Sequence, residues 1–268
     1  MLNTDPAEFC TLNFALHGPD GVDSWVFSEF SSADIKRSQD DFCLGETAIT
    51  RTESGLHVEL NARTKPFFQW GMPPQIRGSL TLTPEAEYGH IVHLDRHRRH
   101  RWFGLAPRAR IRVKLTEPKV EFEGSAYHDA NQGLEPLEDG FQSWQWSRAE
   151  LHDGTAVLYD TIERTGDQHL SGRLYRPDGT IEEMDPPKSV TLRRGRWGVR
   201  RGTRTDADGT PTVLKTLVDA PFYTRSLIET QLRGESVISM HESVDLDRFS
   251  AGWVRFLLPW KIRQKVGR

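Results

Sequence analysis

The most constraining feature of this chain is an alternation of apolar and polar residues with period two, repeated almost from end to end. It runs through "LHVELNA" (56–62), "RGSLTLT" (77–83), "RIRVKLT" (110–116), "KVEFEGSAY" (119–127), "TAVLYDTIE" (155–163) and "ESVISMHESVDL" (235–246). Successive residues of an extended strand point to opposite faces, so each segment reads as a half-buried β-strand. Turn signals fall between them: Asp-Gly at 20–21, 139–140, 153–154, 178–179 and 208–209, and Pro-Pro at 73–74 and 186–187. Regular strands joined by tight turns predict an all-β chain of antiparallel sandwich or barrel type. Helical pattern is confined to "SSADIKRS" (31–38), about two turns, with Ser31 or Ser32 as cap.

The 268 residues allow one large β domain or two small ones. The polar, turn-rich passage "NQGLEPLEDG" (131–140) lies near the midpoint with strands on both sides, and a junction there divides 1–133 from 134–268. Eight Trp and 13 Phe in a chain that is 27% charged describe a globular protein with many large rings to place. A net charge of −3 without a long basic region leaves no electrostatic footprint for nucleic acid. Two cysteines, Cys10 and Cys43, are too few for a disulfide scaffold, and the N-terminus carries no signal-peptide pattern, so a reducing cytoplasm is expected. No stretch approaches the roughly 18 to 20 apolar residues of a membrane span. Residues 252–268, "GWVRFLLPWKIRQKVGR", instead mix Trp253, Phe256, Leu257, Leu258, Trp260 and Ile262 with Arg255, Lys261, Arg263, Lys265 and Arg268. That composition suits peripheral contact with lipid headgroups, Pro259 being expected to break any long helix; the plainer reading is a strand or short helix packed on the body.

Two short motifs carry possible chemistry. In "HIVHLDRHRRHRW" (90–102), His90, His93, His97 and His100 would share a helix face at zinc spacing, but the flanks are β-like and Arg96, Arg98, Arg99 and Arg101 would repel a cation. On a strand, His100 and Trp102 point to one side. In "YHDANQG" (127–133), Tyr127 and Asp129 likewise share a side and His128 faces away, although an aspartate before Asn-Gln-Gly also suits a turn or cap. Trp144 and Trp146 share a strand face and read as core or substrate-pocket wall. Asp160 and Glu242 read as polar strand groups.

The sequence resembles the carotenoid 1,2-hydratases, or hydroxyneurosporene synthases. The resemblance rests on "TLNFALHGPDG" (11–21), "HRWFGLAPRARIRV" (100–113), "GSAYHDANQGLEPLEDGFQSWQWSRAEL" (124–151), "DGTAVLYD" (153–160), "LVDAPFYTRSLIET" (217–230) and "HESVDLDRFSAGWVRFLLPWKIR" (241–263). It implies two lipocalin-like β-barrels in tandem and a catalytic set of His-x-Trp and Tyr-x-Asp, here His100, Trp102, Tyr127 and Asp129. Family members often carry an aromatic-rich leader where this sequence has "MLNTDPAEFC".

The implied reaction is hydration of the terminal C1=C2 bond of an acyclic carotenoid such as lycopene or neurosporene. No redox step occurs, so no cofactor is expected, in keeping with the lack of a glycine-rich phosphate loop. A carboxylic acid that protonates an alkene keeps its proton near neutral pH only where apolar surroundings disfavour the anion, so Asp129 needs dry walls. Trp102 would face the cation with its ring. His100 and Tyr127 would move protons or position water. The same scaffold also suits a cyclase or isomerase of polyketide- or terpenoid-like substrates, or a carrier without chemistry.

Overall fold

The computed structural model describes residues 6–19, 21–64 and 74–261. The turns expected at 20–21 and 73–74, and the basic tail beyond 261, lie outside the described residues. The strands in chain order are β1 (Cys10–Gly18), β2 (Gly21–Phe30), β3 (Ile35–Arg37), β4 (Asp41–Leu44), β5 (Thr47–Thr52), β6 (Gly55–Arg63), β7 (Gln75–Pro84), β8 (Ile91–His93), β9 (His100–Glu117), β10 (Lys119–Gly133), β11 (Phe141–Leu151), β12 (Gly154–Glu163), β13 (Gln168–Tyr175), β14 (Ile181–Glu183), β15 (Lys188–Leu192), β16 (Arg201–Thr205), β17 (Thr212–Asp219), β18 (Tyr223–Leu232) and β19 (Glu235–Asp245). The helices are α1 (Leu137–Gly140), α2 (Leu246–Ser250) and α3 (Gly252–Lys261).

Each segment with period-two alternation is a strand, and the pairings are antiparallel. The helix expected over 31–38 shrinks to one 3-10 turn, Ser32–Asp34, followed at once by β3. The Asp34 carboxylate accepts the Ser31 N–H and closes that turn, while Ile35 and Lys36 pair with β4. Sheet pairing thus overrides a short helical pattern with no packed face of its own.

The chain forms two compact units. One comprises the described parts of Met1–Pro84, Ala109–Ala126 and Leu257–Arg268. Its strands follow the order β10-β9-β7-β6-β5-β4-β3, with β1–β2 as a separate hairpin. Val26, Leu60, Ala62, Ile76, Val113 and Leu115 form its core.

The other unit comprises Glu85–Arg108 and Tyr127–Phe256. Its sheet runs β14-β13-β12-β11-β19-β18-β17, beside the hairpin β15–β16. One face of this sheet carries Ala149, Leu151, Ala156, Leu158 and Leu174. The opposite face carries Trp144, Trp146, Val157, Tyr159 and Val244, packed with Trp102, Tyr127, Phe141 and Tyr175. Alternation along β11 and β12 produces this split directly, even-numbered β11 residues from Trp144 onward falling on the aromatic side and odd-numbered ones on the aliphatic side, while Phe141 joins the aromatic side ahead of the register shift between Phe141 and Ser143. The division expected at 133/134 groups the residues differently. β9 and β10 are long enough to serve both units, so the two motifs lie with the later strands.

Candidate active site

The start of β9 and the end of β10 bring Trp102, Tyr127 and Asp129 together. Trp102 is 1% exposed, and its indole Nε1–H donates to Asp129 Oδ2 at 2.6 Å. The Tyr127 hydroxyl donates to the same oxygen at 2.7 Å. Asp129 is a strand residue, not a turn former, which is why the phenol two positions back can reach it. Both donors converge on Oδ2.

Aromatic rings surround these groups. Tyr159 and Tyr175 lie 5.5 and 6.0 Å from the Trp102 ring. Trp146 lies 5.3 Å from Tyr127, and Trp144 lies 6.1 Å from Phe141. Both tryptophans expected to line a pocket belong to this cluster, Trp146 packing directly against Tyr127. At Gly104 a Cβ would come within 3.0 Å of the Trp102 ring and 3.2 Å of the Tyr175 hydroxyl, so a side chain there would push these groups back by a few tenths of an ångström. Burial pushes the Tyr127 hydroxyl far up, and the Asp129 carboxylate adds to the shift. Tyr159 is raised by the same two causes in the same order. Both phenols therefore remain donors throughout the neutral range.

His100 is 2% exposed and is held in a different network. Its Nδ1 lies 3.2 Å from Asp95 Oδ2, and its Nε2 lies 3.3 Å from the Glu135 carbonyl oxygen. The Asp95 carboxylate also accepts the backbone N–H groups of His100 and Arg99, at 2.6 and 3.1 Å. Burial raises the Asp95 carboxyl, but those donors outweigh it and leave its pKa lowered. The ring is packed 4.7 Å from Phe141. Gly133 and Gly140 close over it, since a Cβ at either position would fall 2.8 or 2.7 Å from a ring carbon. His90, His93 and His97 lie on β8 and its flanking turns, not on a helix.

Tyr159 and Arg225 escaped the sequence reading, and Glu242, read there as a polar strand group, lies beside them. Glu242 stands beside Trp146 in the register of β11 and β19, and Tyr159 stands on the other side of Trp146. Arg225 Nε donates to Glu242 Oε1 at 2.8 Å and to the Tyr223 hydroxyl at 2.9 Å. The charge of Glu242 contributes to the raised pKa of Tyr159, which feels Asp129 as well. Tyr159 thus stands within reach of two carboxylates that are far apart in sequence. Asp160, by contrast, points to the opposite face and pairs with Arg204 at 2.8 Å, a structural role in keeping with its sequence reading. Among the described residues, one cluster has metal-ligand spacing, His152, Asp153 and Glu235 near the β11–β12 and β18–β19 turns. Arg176 and Arg233 already approach Asp153 at 3.0 and 3.8 Å, which disfavours a cation there.

The profile of the family "Carotenoid hydratase CrtC" matches residues 2–268. The chain belongs to the carotenoid hydratase family. It is 37% identical over 266 residues to an acyclic carotenoid 1,2-hydratase of Thiocapsa roseopersicina, covering 99% of this chain and 64% of that protein. A relative of the same name from Rubrivivax gelatinosus is 36% identical, over 98% of this chain and 63% of its own length. The chain thus spans just under two thirds of these two relatives. The acyclic carotenoid 1,2-hydratase of Rhodobacter capsulatus is 33% identical over 98% of this chain and 92% of its own length. Among solved structures, an AttH-type protein from Nitrosomonas europaea superposes with a TM-score of 0.57 at 13% identity, covering 91% of this chain and 83% of that one. This last likeness speaks for the lipocalin-like β-fold alone.

Proposed function

We propose that the chain is a cofactor-independent hydro-lyase that adds water across the terminal C1=C2 bond of an acyclic carotenoid of the lycopene or neurosporene type. Family membership over nearly the whole chain supports this reading, as do relatives named for the same activity. One observation carries the mechanism: two neutral donors converge on a single oxygen of Asp129.

In this mechanism the acidic proton sits on Oδ1, the oxygen that Trp102 and Tyr127 leave open. The alkene π pair takes that proton at C2, and a tertiary carbocation remains at C1. As the proton leaves, negative charge grows on the carboxylate and both donated bonds become charge-assisted. Hydrogen bonds to charged groups are worth roughly 1.5 to 3 kcal/mol, against about 0.5 to 1.5 for neutral ones, so the gain arises in the transition state. The Trp102 ring steadies the cation, an interaction of roughly 2 kcal/mol in dry surroundings. A water lone pair then forms the C1–O bond, and the oxonium proton passes to Glu242, which Arg225 holds beside Trp146. Solvent exchange removes that proton and returns one to Asp129, so one water is added in net. His100, gripped by Asp95 and the Glu135 carbonyl, sets the start of β9 and hence the position of Trp102. Trp144 and Trp146 serve as substrate wall. A polyene of this kind resides in a bilayer, and contact of residues 252–268 with a membrane surface belongs to the same reading.

The decisive experiment incubates the protein with lycopene or neurosporene in detergent and follows 1-hydroxy products by chromatography. Product should form after chelation and desalting, and Asp129→Asn should abolish it with the fold intact. Absence of product from wild type would sink the substrate assignment, and an active Asp129→Asn would remove Asp129 as the acid.

A further inference from the structure

Residues 193–200 read "RRGRWGVR" and connect β15 to β16. Arg193, Arg194, Arg196, Trp197 and Arg200 are exposed, while Val199 is fully buried and anchors the turn. The turn is stiff. Gly195 N–H donates to the Val199 carbonyl at 3.1 Å, and Gly198 N–H donates to the Gly195 carbonyl at 2.9 Å. Gly198 has φ +83°, a conformation that leaves little choice of residue. Arg196 N–H is tied to Asp219 Oδ2 at 2.7 Å. Trp197 is thereby held outward at the tip.

Its ring stacks on Trp253 at the start of α3, with centroids 6.3 Å apart and planes 23° from parallel. Arg248 locks the pair together. Its Nε donates to the Pro221 carbonyl at 2.7 Å, its Nη2 donates to the Trp197 carbonyl, and its guanidinium lies 5.6 Å over the Trp253 ring. Even so, Trp197 and Trp253 are each 47% exposed, and Phe256 one turn along is 69% exposed. Single exposed rings are common on protein surfaces, but a fixed, half-exposed stack of indoles beside an arginine-rich turn is a patch that asks for a partner. Among the described residues, no carboxylate pairs with the side chains of Arg193, Arg194, Arg196 or Arg200.

We propose that this Trp197–Trp253 platform and its arginine-rich turn are the surface by which the protein docks on an anionic lipid bilayer. The chemistry matches that boundary. Indoles favour the interfacial layer, where one edge meets acyl chains and the N–H stays wet. Guanidinium groups bind phosphate in a planar, two-pronged manner, and the four exposed arginines belong to the turn that carries Trp197. The proposal adds a second, sequence-distant element to the contact of residues 252–268. It rests on the carotenoid reading only for the usefulness of a bilayer, not for its geometry.

The test is co-sedimentation of the whole chain with phosphatidylcholine vesicles and with vesicles containing added phosphatidylglycerol. Wild type should bind the anionic vesicles and lose that binding as salt rises. Each basic side chain near such a surface is worth about 1 kcal/mol, so R193Q/R194Q/R196Q should weaken binding by roughly a hundredfold. W197A/W253A should weaken it at least about tenfold, and brominated lipid should quench tryptophan fluorescence in wild type but less so in W197F/W253F. The arginine variant changes exposed side chains only and keeps the test valid should the tryptophan variants fold poorly. No binding of wild type to anionic vesicles, equal binding to neutral ones, or wild-type binding by the arginine variant would overturn the proposal; the last outcome would leave a protein partner for the patch. All variants should keep wild-type product formation in detergent, so failure of docking and failure of the reaction are read separately.

Discussion

Replacing Tyr127 by Phe isolates one of the two bonds on Asp129. The substitution removes a hydroxyl that donates to Oδ2 at 2.7 Å and keeps the ring that packs 5.3 Å from Trp146. If that bond tightens as the carboxylate forms, its loss costs the transition state the excess of a charge-assisted over a neutral bond, roughly 1 to 1.5 kcal/mol, or about a 5- to 13-fold fall in kcat. Ground-state stability should change little, because Trp102 still donates to Oδ2. The assay is initial-rate formation of the 1-hydroxy product from detergent-dispersed lycopene, beside a thermal melt of each variant. A companion cycle with Trp102→Phe sharpens the result. Two donors on one oxygen should not act independently, so the double variant should depart from the sum of the singles by about 0.5 kcal/mol or more. A Tyr127→Phe enzyme that folds normally and turns over within about twofold of wild type would refute the shared-oxygen mechanism, since such a loss is far below one charge-assisted bond.

Two further outcomes follow from buried titrating groups. His241 donates from Nε2 to the Gly202 carbonyl at 2.7 Å, and its burial pushes its pKa down to about 4. The unfolded chain takes up this proton near pH 6.5, so stability is full above that value and falls toward pH 4, by about 3 kcal/mol; denaturant melts across this range should show the loss, and His241→Gln should flatten it. Tyr127, Tyr159, Tyr175 and Tyr223 are all raised, burial being the largest cause for each. The folded state holds these protons above the unfolded value of about 10, so stability should be full below that pH and decline above it, with phenolate absorbance appearing only as the protein unfolds.

The sequence disclosed the strands because alternation and Asp-Gly turns are local signals that survive into the folded sheet. The family resemblance singled out the two motif pairs, and the shared face of His100 with Trp102 on β9, like that of Tyr127 with Asp129 on β10, was legible for the same reason. Tyr159, Tyr175, Glu242 and Arg225 were not. They reach the site through pairings between β11, β12, β13, β18 and β19, and nothing in a single strand announces which distant strand will lie beside it. Asp95 was hidden differently. It sits amid histidines and arginines that suggested either a metal or a solvated loop, whereas its carboxylate closes the turn before β9 and holds His100. The short pattern at 31–38 erred in the opposite sense, because two turns of helix without a buried stripe lose to a strand partner at hand.

The passage from Gly133 to Gly140 looked like a spacer between halves, rich in turn formers and free of pattern. Its two terminal glycines press on opposite parts of one imidazole, and the Glu135 carbonyl between them meets Nε2. What looked like slack is a mould cast around His100. An engineer dividing the chain there to obtain two separate pieces would put the plug in one piece and part of its socket in the other.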